Sequence, residues 1–437
     1  MSGEVNDAAS GDLDVYLVGG AVRDELLGLP VTERDWVVVG STPDELASRG
    51  FSRVGKGFPV FLHPETKEEY ALARLERKTA AGYTGFDTEF STNVTLEEDL
   101  ARRDLTVNAI AKRPDGTLVD PNGGTEDLQN KLLRHVTDAF VEDPLRVLRV
   151  ARFLARYAHL GFRIAPETQE LMQQIAASGE LQTLPKERIW VETERAMGER
   201  RPDQFVHALH ECSALGVLYP EVEALFGVAQ NPTHHPEGDA GTHLLMVLQQ
   251  AGALAKDSLI GFAALTHDLG KALTPREQLP SHRGHELGGI PAVQALCRRL
   301  AVPKRFQRLA EVTCRHHLNA HRASEIGGDA LMTLLEDTGA LRKPDDFDRF
   351  LLVCEADSRG RLGHENDDYP QADFLRRAAA VISEVTAATV LSDRDAERRR
   401  NTDRGTGGTK QVPQKLEGEA LGAALRAARV RALDQMS

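Results

Sequence analysis

Apolar residues at the start of the chain come in short strand-like runs, and after about residue 137 they recur at the spacing of amphipathic helices. Residues 14–18 (DVYLV) predict a strand ending in Gly19-Gly20, and 21–28 a helix closing at Gly28 ahead of Pro30. Residues 35–39 (DWVVV) predict a second strand. Thr42-Pro43-Asp44-Glu45 predicts a helix start, with Ser41 or Thr42 as cap and Pro43 early in the first turn. Residues 58–62 and 69–73 predict two hairpin arms around the polar turn 63–67. Helical periodicity then covers 143–159, 166–178, 186–199 and 203–215, and later 242–256, 258–266, 286–299, 303–317, 328–336, 346–359 and 417–434. Strand patterns are almost absent there. The fold class is therefore α+β: a small mixed-sheet head, an all-helical neck and body, and a further all-helical domain. The expected boundaries are 1–136, 137–226, 227–370 and 371–437, with linkers near 226–241 and 361–370. Residues 393–412, rich in glycine, threonine and arginine, are expected to form a mobile insertion.

Length supports this division, since 437 residues exceed one ordinary core. The first residues lack a basic flank followed by an apolar stretch, and the longest apolar runs are far too short to span a membrane. The four cysteines, at 212, 297, 314 and 354, form no CxxC pair. A cytoplasmic setting without membrane association is expected. The net charge of −13 argues weakly against a nucleic-acid partner. Between Arg102 and Arg156, however, ten basic residues face eight acidic ones, so a local basic groove remains open.

The densest chemistry lies near the start. Gly19-Gly20 followed by Arg23-Asp24 places a permissive strand-to-helix turn where a phosphate could approach, with Arg23 as counter-charge. It is neither GxGxxG nor a P-loop. Glu33 and Asp35 lead into the second strand, where residues two apart face one side. Such a pair can hold one or two Mg²⁺ ions against a triphosphate. Most acidic pairs at strand edges are only solvated surface; the Gly-Gly turn fourteen residues upstream favours the functional reading.

GGAVRD…ERDWVVVG resembles the head of the class II nucleotidyltransferases of the polymerase β superfamily, which includes CCA-adding enzymes and bacterial poly(A) polymerases. That family usually shows D-x-D; here the first position is Glu33, whose longer carboxylate can still ligate Mg²⁺. Glu69 is a candidate third acid. The resemblance implies that Gly20, Arg23 and Arg103 meet nucleotide phosphate. Asp104 and Asn108 of RRDLTVNA would orient the ribose and the local fold. Residues 120–128 resemble the head–neck hinge, and 76–86 the loop beside the site. In EDPLRVLRVARF, Asp143 and Arg146 can accept from and donate to a base edge, and the resemblance implies that they select C or A without a template. Arg149 and Arg152 would then contact nucleotide phosphates. The recurrence of Arg146, Arg149 and Arg152 every third residue makes one helical face cationic; its blander reading is a solvated stripe.

His243, His267-Asp268 and Asp357 stand on separate helical segments, and nine of the fifteen histidines fall between His234 and His321. An adjacent His-Asp pair at a helix end suits a divalent metal, and Gly270-Lys271 would finish that helix. The pattern resembles the HD phosphohydrolase superfamily. The resemblance implies His243, His267, Asp268 and Asp357 as ligands of a divalent transition metal, Ni²⁺ or Mn²⁺. It also implies hydrolysis of 2′,3′-cyclic phosphates, 2′-nucleotides and phosphate esters. His282, His285, His316 and His317 crowd the same segment as candidates for a second ion or a phosphate.

Head, neck and HD order together resemble CCA-adding enzymes that carry a complete HD domain, which implies tRNA as partner and CTP and ATP as substrates. No DNA partner is expected; monomer and homodimer are both compatible. The alternatives are a poly(A) polymerase, which shares head and neck, and an HD hydrolase whose head has become an RNA-binding module.

Overall fold

The computed structural model describes residues 9, 11–54, 60–78, 86–89, 91–403 and 417–436. The chain divides into two compact units, Met1–Glu223 and Ala224–Ser437.

In the first unit the apolar runs form strands β1 (Asp14–Val18), β2 (Asp35–Val39), β3 (Ser52–Val54), β4 (Val60–Leu62), β5 (Glu69–Leu72), β6 (Leu75–Lys78), β7 (Phe86–Glu89), β8 (Ala111–Lys112) and β9 (Leu118–Val119). Seven of them build one mixed sheet in the order β3-β4-β5-β2-β1-β8-β9, while β6 and β7 pair separately. Only β2 and β5 run parallel within the sheet; β1–β2, β4–β5 and β1–β8 are antiparallel. Alternation sends Tyr16, Val18 and Val37 into one apolar cluster and Val15, Val38, Phe61 and Tyr70 into another, so both faces of the central strands are covered.

Helices α1 (Gly20–Leu26), α2 (Pro43–Ser48), α3 (Leu96–Ala101) and α4 (Gly124–Asn130) complete the head. The Thr42 side chain caps α2 by accepting from the Glu45 amide, with Pro43 in the first turn. In the hinge-like segment, Asp120 accepts from the amides of Gly124 and Thr125, both at 2.8 Å, and so fixes the start of α4.

Strands β10 (Leu132–Leu133) and β11 (Arg163–Ile164) form a small parallel pair beside helices α5 (Leu145–Tyr157), α6 (Pro166–Ser178), α7 (Lys186–Met197), α8 (Pro202–Glu211), α9 (Leu215–Leu218) and α10 (Pro220–Glu223). Helix α5 is buried along most of its length, with Val147, Leu148, Val150 and Ala151 fully enclosed. Head and neck thus belong to one compact unit.

The second unit is helical among its described residues: α11 (Ala240–Leu254), α12 (Ser258–Thr266), α13 (His285–Gly288), α14 (Ile290–Arg299), α15 (Lys304–His321), α16 (Gly328–Thr338), α17 (Pro344–Arg359), α18 (Pro370–Glu384), α19 (Ala387–Asp403) and α20 (Gly418–Asp434). Several expectations need correction. The single helix expected over 286–299 is two, interrupted at Gly289 ahead of Pro291. Helix α18 carries a sparse stripe of Ala372, Leu375, Ala378 and Ile382, and it stood outside the periodic segments recognised in the sequence. Residues 393–403, assigned to a mobile insertion, continue α19; residues 404–412 lie outside the described residues. Helix α20 is tied back to α16: Asp434 accepts from the Gly328 amide at 2.7 Å, and Arg426 pairs with Glu336 at 3.0 Å.

Candidate functional sites

In the head, strand register brings the two sequence signals together. Val18 pairs directly with Asp35, so the turn that follows β1 lies beside the acid that opens β2. Gly19 has φ +68°, a conformation that L side chains rarely adopt, and a Cβ there would lie 3.0 Å from an Arg103 guanidinium nitrogen. Glycine therefore lets Arg103 approach the turn.

One cleft of about 550 Å³ takes in Gly20, Arg23, Glu33, Asp35, Arg103, Asp104, Asn108, Asp143, Arg146, Arg149 and Arg152. Every head and neck residue singled out as primary in the sequence lines it. Glu69 does not; it pairs in register with Asp35 but is exposed. Residues 79–85 of the expected loop beside the site lie outside the described residues. Ten arginines against five carboxylates line the cleft, so an acidic chain carries a cationic groove.

Several of these side chains are locked rather than solvated. Arg23 is buried, donates to Asp24 at 2.9 Å and to Asn108, and stacks its guanidinium over Phe153 and Tyr157. Arg23, expected as counter-charge to a phosphate, lines the cleft and also braces the turn against the neck. Asp24 in turn accepts from the Tyr157 hydroxyl at 2.7 Å and from Arg156 at 2.8 Å. Asp104 accepts from Asn108 at 2.9 Å and from Arg149 at 2.7 Å. Burial disfavours the Asp104 charge, but Arg149 and the Asn108 hydrogen bond outweigh it and hold the carboxyl well below its usual range.

The arginine stripe also differs from its solvated reading. Arg152 is buried and pairs with Glu192 of α7 at 2.5 Å, a partner that its distance in sequence concealed. Arg146 donates to the carbonyls of Ala139 and Arg102, while Asp143 accepts from the Leu145 amide at 3.1 Å. At the metal end, enclosure by the cleft raises the Asp35 carboxyl, Arg103 opposes this, and Glu33 adds to it. Asp35 nonetheless remains exposed. Two adjacent carboxylates are hard oxygen donors of the kind a hard divalent ion takes.

In the second unit His243 (α11), His267 and Asp268 (end of α12) and Asp357 (α17) converge. His243 Nε2 lies 3.0 Å from Asp357 and 3.9 Å from Asp268; His267 Nε2 lies 3.2 Å from Asp268 and 3.7 Å from Asp357. All four are buried. His243 Nδ1 is 2.9 Å from the Gly360 carbonyl and His267 Nδ1 is 2.7 Å from that of Ala264. A carbonyl only accepts, so each Nδ1 carries a proton and each Nε2 faces the carboxylates.

His267 Nε2 and Asp268 Oδ1 are buried without a hydrogen-bond partner. Burial works against a charge on His267, yet Asp268 and Asp357 outweigh it and push its pKa up to about 9. The pocket therefore stabilises positive charge, and a divalent transition metal fits its mixed imidazole and carboxylate donors.

Several residues here escaped sequence reasoning. Glu237, from the expected linker, accepts from His243 Nδ1 at 2.9 Å and also pairs with His235. His321 lies 2.7 Å from the second Asp357 oxygen and 3.1 Å from the Tyr369 hydroxyl. Lys271 is buried 2.6 Å from Asp268 and 2.6 Å from Gln230, so it faces the site rather than merely finishing a helix. The histidine enrichment was the one available signal for His235 and His321.

Gly270 likewise needs a new reason. It is no left-handed cap; a Cβ there would sit 2.0 Å from the His285 carbonyl oxygen. Gly270→Ala is expected to destabilise the second unit by at least about 1–3 kcal/mol through overpacking. Chemical denaturation would check this, and an unchanged midpoint would refute the close approach.

Comparison with known proteins follows the same layout. Residues 15–134 match the poly A polymerase head domain, 161–226 the probable RNA and SrmB-binding site of polymerase A, and 240–360 the HD domain. Fold and sites together define a nucleotidyltransferase with a polymerase-type head and a C-terminal HD domain. A multifunctional CCA protein of Thioalkalivibrio sulfidiphilus is 53% identical over 424 residues, 97% of this chain and 98% of the relative. One of Methylococcus capsulatus is 53% identical over 97% of this chain and 95% of its own length. The chain belongs to the multifunctional CCA protein family. Its fold also resembles that of the Bacillus stearothermophilus CCA-adding enzyme in complex with CTP (TM-score 0.61, 22% identity, 98% of this chain and 93% of that one). A second likeness is to the Thermotoga maritima CCA-adding enzyme complexed with tRNA (TM-score 0.59, 16% identity, 99% and 90%).

Proposed function

We propose that the first unit adds C, C and A to the 3′ end of tRNA from CTP and ATP without a nucleic-acid template. The observation that carries this reading is the single cleft shared by the Glu33–Asp35 pair and the Asp143–Arg146 pair. Mg²⁺ at Glu33 and Asp35 would supply activation of the attacking hydroxyl and charge neutralisation at the α-phosphate. Arg103, Arg149 and Arg152 hold the triphosphate side of the cleft cationic, and Asp104 and Asn108 orient the ribose and brace α5. Asp143 and Arg146 offer an acceptor and a donor to a base edge once they exchange their present protein partners for the nucleotide.

The second unit, on this proposal, is a cytoplasmic phosphohydrolase for 2′,3′-cyclic phosphates, 2′-nucleotides and phosphate esters. Ni²⁺ or Mn²⁺ held by His243, His267, Asp268 and Asp357 would supply an activated water. Lys271 places an ammonium where a phosphate oxygen can be met.

Incubation with tRNA ending at the discriminator base tests the transferase reading. Two residues are expected with CTP alone, and the third only when ATP is also present. Long ladders with ATP alone would instead establish poly(A) synthesis.

A further inference from the structure

A closed loop precedes α11, in the stretch between the matched regions that end at residue 226 and begin at residue 240. Ala229 and Asp239 form an antiparallel bridge at its base, the Gln230 amide donates to the Gly238 carbonyl at 2.9 Å, and Asp239 accepts from the Gly227 amide at 2.7 Å. His282 clasps it from the far side, with Nε2 3.1 Å from the Ala229 carbonyl. Gln230, set in this loop, is only 3% exposed.

The orientation of its side chain is fixed by a neighbour. The Lys271 ammonium can only donate, and it lies 2.6 Å from Gln230 Oε1 and 2.6 Å from Asp268 Oδ2. Gln230 therefore turns its amide oxygen to Lys271 and its nitrogen elsewhere. That Nε2 is buried and has no hydrogen-bond partner among the described residues. Lys271 spends two of its three N–H bonds on those oxygens, which leaves one to give. Arg361 is held against the same loop, because its neighbour Gly360 meets His243 and the Leu362 amide donates to Glu237 at 3.4 Å. Arg361 Nε is likewise buried without a partner among the described residues. Buried donors without acceptors are unfavourable, so donors gathered beside Asp268 point to an anion with several oxygens.

We infer that Gln230 is a substrate-binding residue of the phosphohydrolase: its Nε2, with the remaining Lys271 N–H, donates to the phosphoryl oxygens of the bound ester. The inference rests on the reading of the second unit as a phosphohydrolase. It adds a recognition element from outside the HD-matched residues 240–360. A neutral amide suits the position, since a carboxylate there would satisfy Lys271 equally well but repel the phosphate.

Gln230→Glu and Gln230→Met in the full-length chain separate recognition of phosphate from support of Lys271. Glutamate keeps an oxygen for the ammonium but brings no N–H donor, whereas methionine fills the space with neither. In Mn²⁺-loaded enzyme, both are expected to raise the KM for 2′,3′-cyclic AMP by about tenfold or more, Gln230→Glu the more strongly. The Kd of inorganic phosphate, measured by calorimetry, should rise in parallel, while Mn²⁺ content and melting temperature stay close to the parent's. A parent-like KM in Gln230→Glu, with loss in Gln230→Met alone, would reduce Gln230 to a prop for Lys271 and overturn the inference. Parent-like values in both variants, or a fall in Mn²⁺ content in both, would overturn it too. If the parent chain itself hydrolyses no phosphoester with Mn²⁺ or Ni²⁺, the phosphohydrolase reading fails and this inference falls with it.

Discussion

Asp35→Ala is expected to lower nucleotide addition on the order of 10³-fold or more, because the metal-ion contribution that it removes is several kcal/mol of the barrier. The change should show as a loss in single-turnover rate at saturating CTP rather than as weaker binding, since the developing charge at the phosphorus is what the ion neutralises. Asp35 is exposed at the first position of β2, so its removal leaves the sheet register and the core behind it intact. The melting temperature should therefore stay within about 2 °C. Hydrolysis of 2′,3′-cyclic AMP, the activity proposed for the second unit, serves as an internal control and should not change. Glu33→Asp, in contrast, shortens a ligand without removing it, and addition within about tenfold of the parent is expected. Retention of normal addition by Asp35→Ala would remove the head's acidic pair from the chemistry.

The head was readable because its signals are local. A five-residue apolar strand, a Gly-Gly turn and an acid two residues from another acid all fall within a window of some twenty residues, and the antiparallel register of β1 with β2 then needs only short-range pairing. The neck was readable for its motif but not for its energetics. Arg152 was expected to contact nucleotide phosphate, with a solvated stripe as the blander alternative; neither reading revealed its pairing, because Glu192 stands forty residues away on another helix. Nothing in helical periodicity records which carboxylate will meet a given arginine. Glu237 was hidden in a similar way: a loop residue beside Pro236 and Gly238 reads as linker until the fold sets it against His243.

In the second unit, the HD pair and the histidine density located the site, while the function of individual histidines depended on which way each helix turned. His316 and His317 are adjacent and share one helix, yet they point to Asp337 and to Asp268. Successive positions on a helix lie about 100° apart, so at most one of them can face a given centre. Helix α18 lies in the C-terminal region 371–437 that was expected to be helical, but its own periodic segment was not recognised, for a related reason. Alanines fill half of its buried stripe, and such a weak apolar contrast carries little periodic signal.

Glu192→Ala is expected to destabilise the first unit by about 3–5 kcal/mol, because it leaves the buried Arg152 without its closest carboxylate. For a unit of this size the melting temperature should fall by roughly 6–20 °C. Arg152 has few alternatives: both side chains of the pair are less than one-tenth exposed, and Phe153 covers the guanidinium from one side at 4.3 Å. Burial already pulls the Arg152 guanidinium below its usual range, with Glu192 opposing that pull. Glu192 also stands 3.9 Å from Arg149, which is itself anchored to Asp104 at 2.7 Å. The loss should consequently spread to the nucleotide site and raise the KM for CTP and ATP alike. Two further variants separate stability from function. Glu192→Gln keeps a hydrogen-bond acceptor without the charge and should recover only part of the lost stability. The double variant Arg152→Met/Glu192→Leu fills the same space with apolar atoms and should approach or exceed the parent in melting temperature. If the pair serves only the fold, that double variant will add nucleotides normally. If Arg152 meets nucleotide phosphate, it will be stable and still show a raised KM, which is the expected result.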